Sequence, residues 1–245
     1  MCFSAAASFS TAGLLVPVGL VCLQRCRASA ASRWRPLAAI PLLFAAQQAL
    51  EGFIWLDLAR VGSPWHSPLS LAYLFFAYAL WPAWIPWSAL CGARGQVGAR
   101  RARLLQLLQA AGLMLGLSLW LPVLLAPASA GPVLRAGSLH YGAVDALQAT
   151  PLAGFGPVLY LALIVLPLLL VPQSALHWFA LSLSLAALLS ELWWQHAFSS
   201  VWCFFSALLS LQVLAVLRPM SSDIRFWSSG DTKTGPPDGG LTGAF

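Results

Sequence analysis

The chain has 245 residues, 60% of them hydrophobic and only 8% charged, with a net charge of +6. Soluble domains average about 25% charged residues, so these figures exclude a water-soluble core with a polar skin and point to helices solvated by lipid. The positive balance does not indicate nucleic acid, because the arginines sit in short clusters between apolar runs, the pattern of membrane topology signals.

Seven apolar runs follow one another, at about 7–24, 36–56, 69–90, 104–126, 156–171, 175–194 and 200–217, each near the ~20 residues that a bilayer core demands. They do not alternate apolar and polar residues in the ~10-residue units of barrel strands, so they read as helices. The expected fold is an all-α integral membrane protein, a bundle of about seven transmembrane helices over residues 1–217. A Gly/Pro/Thr-rich segment, 218–245, follows as a largely disordered cytoplasmic tail. The opening "MCFSAAASFSTAGLLVPVGL" has no basic n-region, so no cleavable signal peptide is expected.

The first connection holds Arg25, Arg27, Arg33 and Arg35, the third Arg94, Arg100, Arg101 and Arg103, and the tail Arg218, Arg225 and Lys233. Of the 13 basic residues only Arg60 and Arg135 fall on the opposite side. The basic side should face the cytoplasm, placing the N-terminus outside, the C-terminus inside, and the protein in the inner membrane of a bacterium.

Ionisable residues within spans are costly and mark candidate sites. The second run reads "FAAQQALEGFIWLD", where Gln47, Glu51 and Trp55 recur at i, i+4 and i+8 and Gln48 precedes Glu51 by three. All four therefore share one helical face, as an inter-helix hydrogen-bond clamp or as a reactive site. The third run, "LFFAYALWPAWIPW", sets Trp81, Trp84 and Trp87 around Pro82 and Pro86. Such prolines kink a helix and free carbonyls; the tryptophans read as an inner-leaflet belt or as an aromatic pocket for a lipid, quinone or carotenoid. The outer connection 127–155 contains "LHYGAVDALQATP", read as a short interfacial helix. The fifth run is short and interrupted by Pro167.

Residues 175–217 as one helix would extend about 65 Å, twice the bilayer core, so the chain must reverse within them. "ELWWQHAFSSVWCFF" holds that turn, with Ser199 or Ser200 as the cap of the last helix and Trp193, Trp194 and Trp202 at headgroup level. Belt and cap leave Glu191, His196 and Cys203 unexplained. Cys2 falls on the same outer, oxidising side, so Cys2 and Cys203 read as a disulfide, as an N-terminal cysteine binding metal, or as two unpaired thiols. Cys22, Cys26 and Cys91 lie on the reduced side. A site of two histidines and a carboxylate from His140, His196 and Glu191 or Glu51 is conceivable but no spacing enforces it. P-loop, GxSxG and CxxC motifs are missing, as is the paired His-x3-His of seven-helix zinc amidases of the alkaline ceramidase type.

"MCFSAAASF", "RPLAAIPLLFAAQQALEGFIWL" and "VWCFFSALLSL" together resemble a family of uncharacterised bacterial multi-pass membrane proteins, a domain of unknown function. The resemblance covers residues 1–217 and implies membrane location and a seven-helix layout, with no activity or cofactor attached. Its motif residues here are Cys2, Phe3, Ser4, Gln47, Gln48, Glu51, Trp55, Trp202 and Cys203. Three functional readings follow. One is a scaffold or sensor locked by an outer-leaflet polar cluster around Glu51. Another is a binding or transport-like protein holding a small ligand or lipid with Gln47, Gln48, Glu51, Trp55, Glu191, His196, Trp202 and Cys203. The alternative is a redox or metal-dependent membrane enzyme using Glu51, Glu191, His196 and Cys203.

Overall fold

A computed structural model describes residues 4–27, 29–60, 64–127, 131–135, 138–141, 156–194 and 198–218. The expected tail, apart from Arg218, lies outside them, as do Cys2 and His196. Among the described residues the chain forms seven helices and one hairpin. Helix α1 is Ala5–Arg25, opened by Ser4, whose Oγ accepts the Ala7 N–H at 3.3 Å. Helix α2, Ala31–Leu58, begins in a 3₁₀ turn, steps at Ala39 and runs on as Ile40–Leu58 with Pro41 in its first turn. Helix α3 is His66–Ala93, α4 Ala99–Leu125, α5 Gly156–Leu170 and α6 Ser174–Trp194. Helix α7 comprises Phe198–Leu209 and, after a turn, Gln212–Val216. Five of these, α1, α2, α3, α4 and α6, are long and apolar enough to cross a membrane.

Short connections make sequence neighbours into antiparallel packing partners: α1 lies on α2, α3 on α4, and α6 on both α5 and α7. Helix α7 then returns to α1 and α2 and closes the bundle. Close approach of α1 and α2 depends on small residues, with Gly52 lying under the Phe9 ring and Gly19 against Leu42. One end gathers the arginines. There Arg25 Nη1 donates to the Leu214 carbonyl at 3.0 Å, Arg35 Nε to the Cys26 carbonyl at 3.2 Å, and Gln173 Nε2 to Gln96 Oε1 at 2.6 Å. Burial raises the Cys26 thiol to about 11, and it is an inert neutral group. At the other end Asp57 Oδ2 meets His66 Nδ1 at 2.5 Å, tying the end of α2 to the start of α3.

The outer faces of α4 and α6 are leucine-rich. Leu107, Met114 and Leu125 on α4, and Trp178, Leu181, Leu185 and Leu188 on α6, are all more than half exposed. Contiguous apolar exterior of this extent is foreign to a monomer in water.

Helix α3 carries the proline effect in a particular form. Its middle, Phe75–Leu80, is a π-helical stretch between α-helical His66–Leu74 and Trp81–Ala93. The Trp81 N–H bonds five residues back, to Phe76, so the Ala77 carbonyl would next bond position 82, where proline has no N–H. The Tyr160 hydroxyl, from α5, donates to it instead at 2.5 Å. Gly112 and Gly116 on α4 press against the same segment, where a methyl on Gly112 would overlap the Pro82 carbonyl and one on Gly116 would stand 2.8 Å from that of Ala79. Tyr160→Phe removes the substitute donor without changing shape, and should cost about 1 kcal/mol of stability, read as a lowered midpoint in detergent unfolding.

Of the 127–155 connection, residues 142–155, which hold most of the expected interfacial helix, lie outside the described residues, and the part before them is a hairpin. Pro132–Arg135 and Ser138–Tyr141 pair as an antiparallel hairpin, with Val133 opposite His140, so "LHY" is strand. Leu139 and Tyr141 are buried against Ile54, Tyr73, Val123 and Cys203. Burying three consecutive side chains, His140 included, is something a helix lying in an interface would not do. The hairpin thereby covers the end of the bundle at which α1 and α7 begin and α2 ends.

Candidate functional site

Beneath that hairpin lies a buried polar cluster. It is assembled from the first turns of α1 and α7, the last turns of α2, the α-helical start of α3, and the second strand. Glu51 is its centre, 1% exposed. The Ser200 hydroxyl donates to Glu51 Oε1 and the Gln48 amide to Oε2, the latter at 3.2 Å. No ion pair reaches the carboxylate among the described residues. Gln47, one turn earlier, accepts the Trp81 indole N–H at 2.8 Å while the Trp81 ring stacks on Phe44 at 3.9 Å. Tyr73 of α3 and Tyr141 of the hairpin stack at 4.9 Å, nearly parallel. Tyr73 and Gln47 face the thiol of Cys203 on α7. Burial pushes the Tyr141 phenol well above its usual range, and the neighbouring Glu51 charge adds to the effect, which places the two within electrostatic reach.

Hydrogen bonding in the cluster is incomplete. Gln48 Oε1, the Tyr141 hydroxyl, the Ser8 hydroxyl and the Trp55 indole N–H are all sealed from the surface and have no partner among the described residues. Gln48, Ser8 and Tyr141 are themselves at most 1% exposed. Buried polar atoms are nearly always satisfied, and an orphan costs about 1–3 kcal/mol, so several around one carboxylate mark a place prepared for something else. Beside Cys203, Trp202, Tyr160 and Ser206 is a cavity of ≈ 20 Å³, room for about one water. A larger cavity of ≈ 260 Å³ opens between α3 and α4 at the arginine end, by Arg94 and Gln106.

The structure thus brings Gln47, Gln48, Glu51 and Cys203 together, with Trp55 half-buried beside them. Trp202 is a core residue, 8% exposed and edge-to-face with Tyr160, rather than a headgroup anchor. Trp81 is likewise core and Trp84 donates to the Pro36 carbonyl, leaving Trp87 as the partly exposed member of that trio. Glu191 is exposed on the last turn of α6 and takes no part in the buried cluster. His140 is buried in the second strand, while His196 and the Cys2 half of the expected disulfide lie outside the described residues. Among the described residues Cys203 has no disulfide partner, and no three His, Cys, Asp or Glu side chains gather as a metal site. Ser200, expected as a helix cap, spends its hydroxyl on Glu51. Ser8, Tyr73 and Tyr141 were not anticipated.

A family model covers residues 1–225, nearly the whole chain and every element of this cluster. The chain belongs to DUF6629, a family of unknown function. Neither the curated proteins nor the solved structures contain a match to it. Membership of DUF6629 therefore brings no activity, ligand or residue role with it, and the chemistry must be argued from the cluster itself.

Proposed function

We propose that this DUF6629 protein is a multi-pass protein of the bacterial inner membrane, with the arginine end cytoplasmic, and that its polar cluster binds a small polar ligand admitted from the outer side. Five spans of sufficient length, the leucine-rich exteriors of α4 and α6, and the collection of arginines at one end support the membrane reading. The binding reading rests on one observation, the unsatisfied buried polar atoms near a carboxylate that no base among the described residues pairs. A lock between helices would gain by satisfying those atoms. A site that exchanges a ligand leaves them for the ligand. Within this reading Glu51 both fastens α2 to α7 through Ser200 and supplies the charge that the ligand meets. The enzyme alternative draws no support from the geometry, since Glu191 stands outside the cluster.

Access is testable through the native thiol. In a Cys2→Ser background, a small charged methanethiosulfonate reagent applied to the outer face of intact cells should modify Cys203, read by mass spectrometry of the purified protein. A Cys203 that stays unmodified while a cysteine placed at the exposed Trp65 reacts would overturn the binding reading in favour of a closed scaffold.

A further inference from the structure

The charge at Glu51 has no basic partner among the described residues. Its hydrogen bonds come from two neutral groups, Ser200 and Gln48. Among the described residues the titratable groups facing it are Tyr73 from α3, Tyr141 from the hairpin and Cys203 from α7. None of these carries positive charge in any protonation state. Helix α1 contributes Ser8, on the turn whose Phe9 covers Gly52, and no titratable group there. Asp57, further along α2, is taken up by His66. An ionised carboxylate with no countercharge is far too costly at this burial to persist, so something must neutralise it, and no group among the described residues does.

The unsatisfied atoms indicate what. Near this carboxylate stand the oxygens of Gln48 and Tyr141, with no hydrogen bond among the described residues, and that of Ser200 with one. Oxygen donors of this kind are the ligands of hard cations. A single negative charge among neutral oxygens balances one positive charge; a divalent ion would be left with an uncompensated charge in the interior. We infer that Glu51, with Gln48, Ser200 and Tyr141, is a binding site for one monovalent cation, a proton or a sodium ion. This deepens the reading of the cluster as a ligand site and rests on it. Proton and sodium compete for the same oxygens, because each neutralises the same carboxylate. No bond other than O–H or O···Na⁺ changes on exchange.

Infrared difference spectroscopy of the full chain in lipid nanodiscs, wild type minus Glu51→Gln, isolates the bands of this one carboxyl. A protonated-carboxyl C=O band that gives way to carboxylate bands as pH rises identifies the proton. The same change driven by sodium chloride at fixed pH, and not by choline chloride, identifies sodium. Tyr141→Phe keeps the ring on Tyr73 but removes an oxygen, and should shift the midpoint about tenfold in cation concentration. That variant moves the band even if Glu51→Gln does not fold. A Glu51 band in either form that responds to neither pH nor sodium overturns the inference. Failures are separable: a modified Cys203 beside an unresponsive band overturns the cation alone, while an unmodified Cys203 beside a reactive cysteine at position 65 overturns the ligand-site reading on which the cation rests.

Discussion

Gly112→Ala should be among the most damaging single-methyl changes in this protein, costing about 3 kcal/mol or more, the upper range for overpacking. The added carbon would overlap the Pro82 carbonyl oxygen, and Pro86 Cγ stands only 3.3 Å away on the other side. Backbone cannot rotate aside as a side chain can, so relief requires moving α4 away from α3. That movement would also uncover the π-helical stretch, where Gly116 presses on Ala79. The comparison that isolates the cause is Gly13→Ala, a helical glycine with nothing within 4 Å of its added carbon. Removing a glycine from an unobstructed helix position should gain up to about 1 kcal/mol. Unfolding midpoints of the two variants in mixed micelles should therefore move in opposite directions. Equal tolerance of both would mean that α4 does not seat on the Pro82 ridge.

That contact was available to a sequence reading, since "GLMLG" at 112–116 is a small-xxx-small pair within an apolar run. What the sequence does not disclose is its partner, the bulged backbone of α3, because a single π turn leaves the apolar content of a run unchanged. The cluster divides in the same way. Gln47, Gln48 and Glu51 are legible because three polar side chains at helical spacing in an apolar run have no local means of satisfaction. Serines are different. Ser70, Ser184 and Ser190 each return their hydroxyl to the carbonyl four residues back, so a serine in a span is ordinarily self-sufficient. Ser200 instead bonds Glu51 across 149 positions of sequence, and nothing in its neighbourhood distinguishes it from the others. Glu191 shows the converse. A carboxylate near a helix end reads alike whether it turns inward or outward, and here it is outward. Tyr141 was hidden by a third cause, the four-residue strands of the hairpin being too short for their periodicity to declare itself.

Glu51→Leu should be the second large loss, and the reason lies in the donors it strands. Leucine removes both acceptor oxygens while leaving the Ser200 hydroxyl and the Gln48 amide buried. Two orphaned donors cost about 2–5 kcal/mol by soluble-protein values, and less in a membrane, where the unfolded chain also finds partners. Glu51→Gln keeps one oxygen, and the Ser200 hydroxyl can reverse to accept from the new amide. Its expected stability loss is therefore about 1 kcal/mol. Pairing Glu51→Leu with Ser200→Ala removes one stranded donor together with its partner, so the double variant should recover on the order of 1 kcal/mol relative to additivity. The cycle separates the two things Glu51 does. A coupling of that size measures the fastening of α2 to α7. A loss no larger than that in Glu51→Gln, while the pH and sodium response disappears, would show that the charge is kept for the ligand and not for the fold. Were Glu51→Leu to unfold no earlier than wild type, the Ser200 and Gln48 bonds would carry no weight and the cluster would lose its structural role.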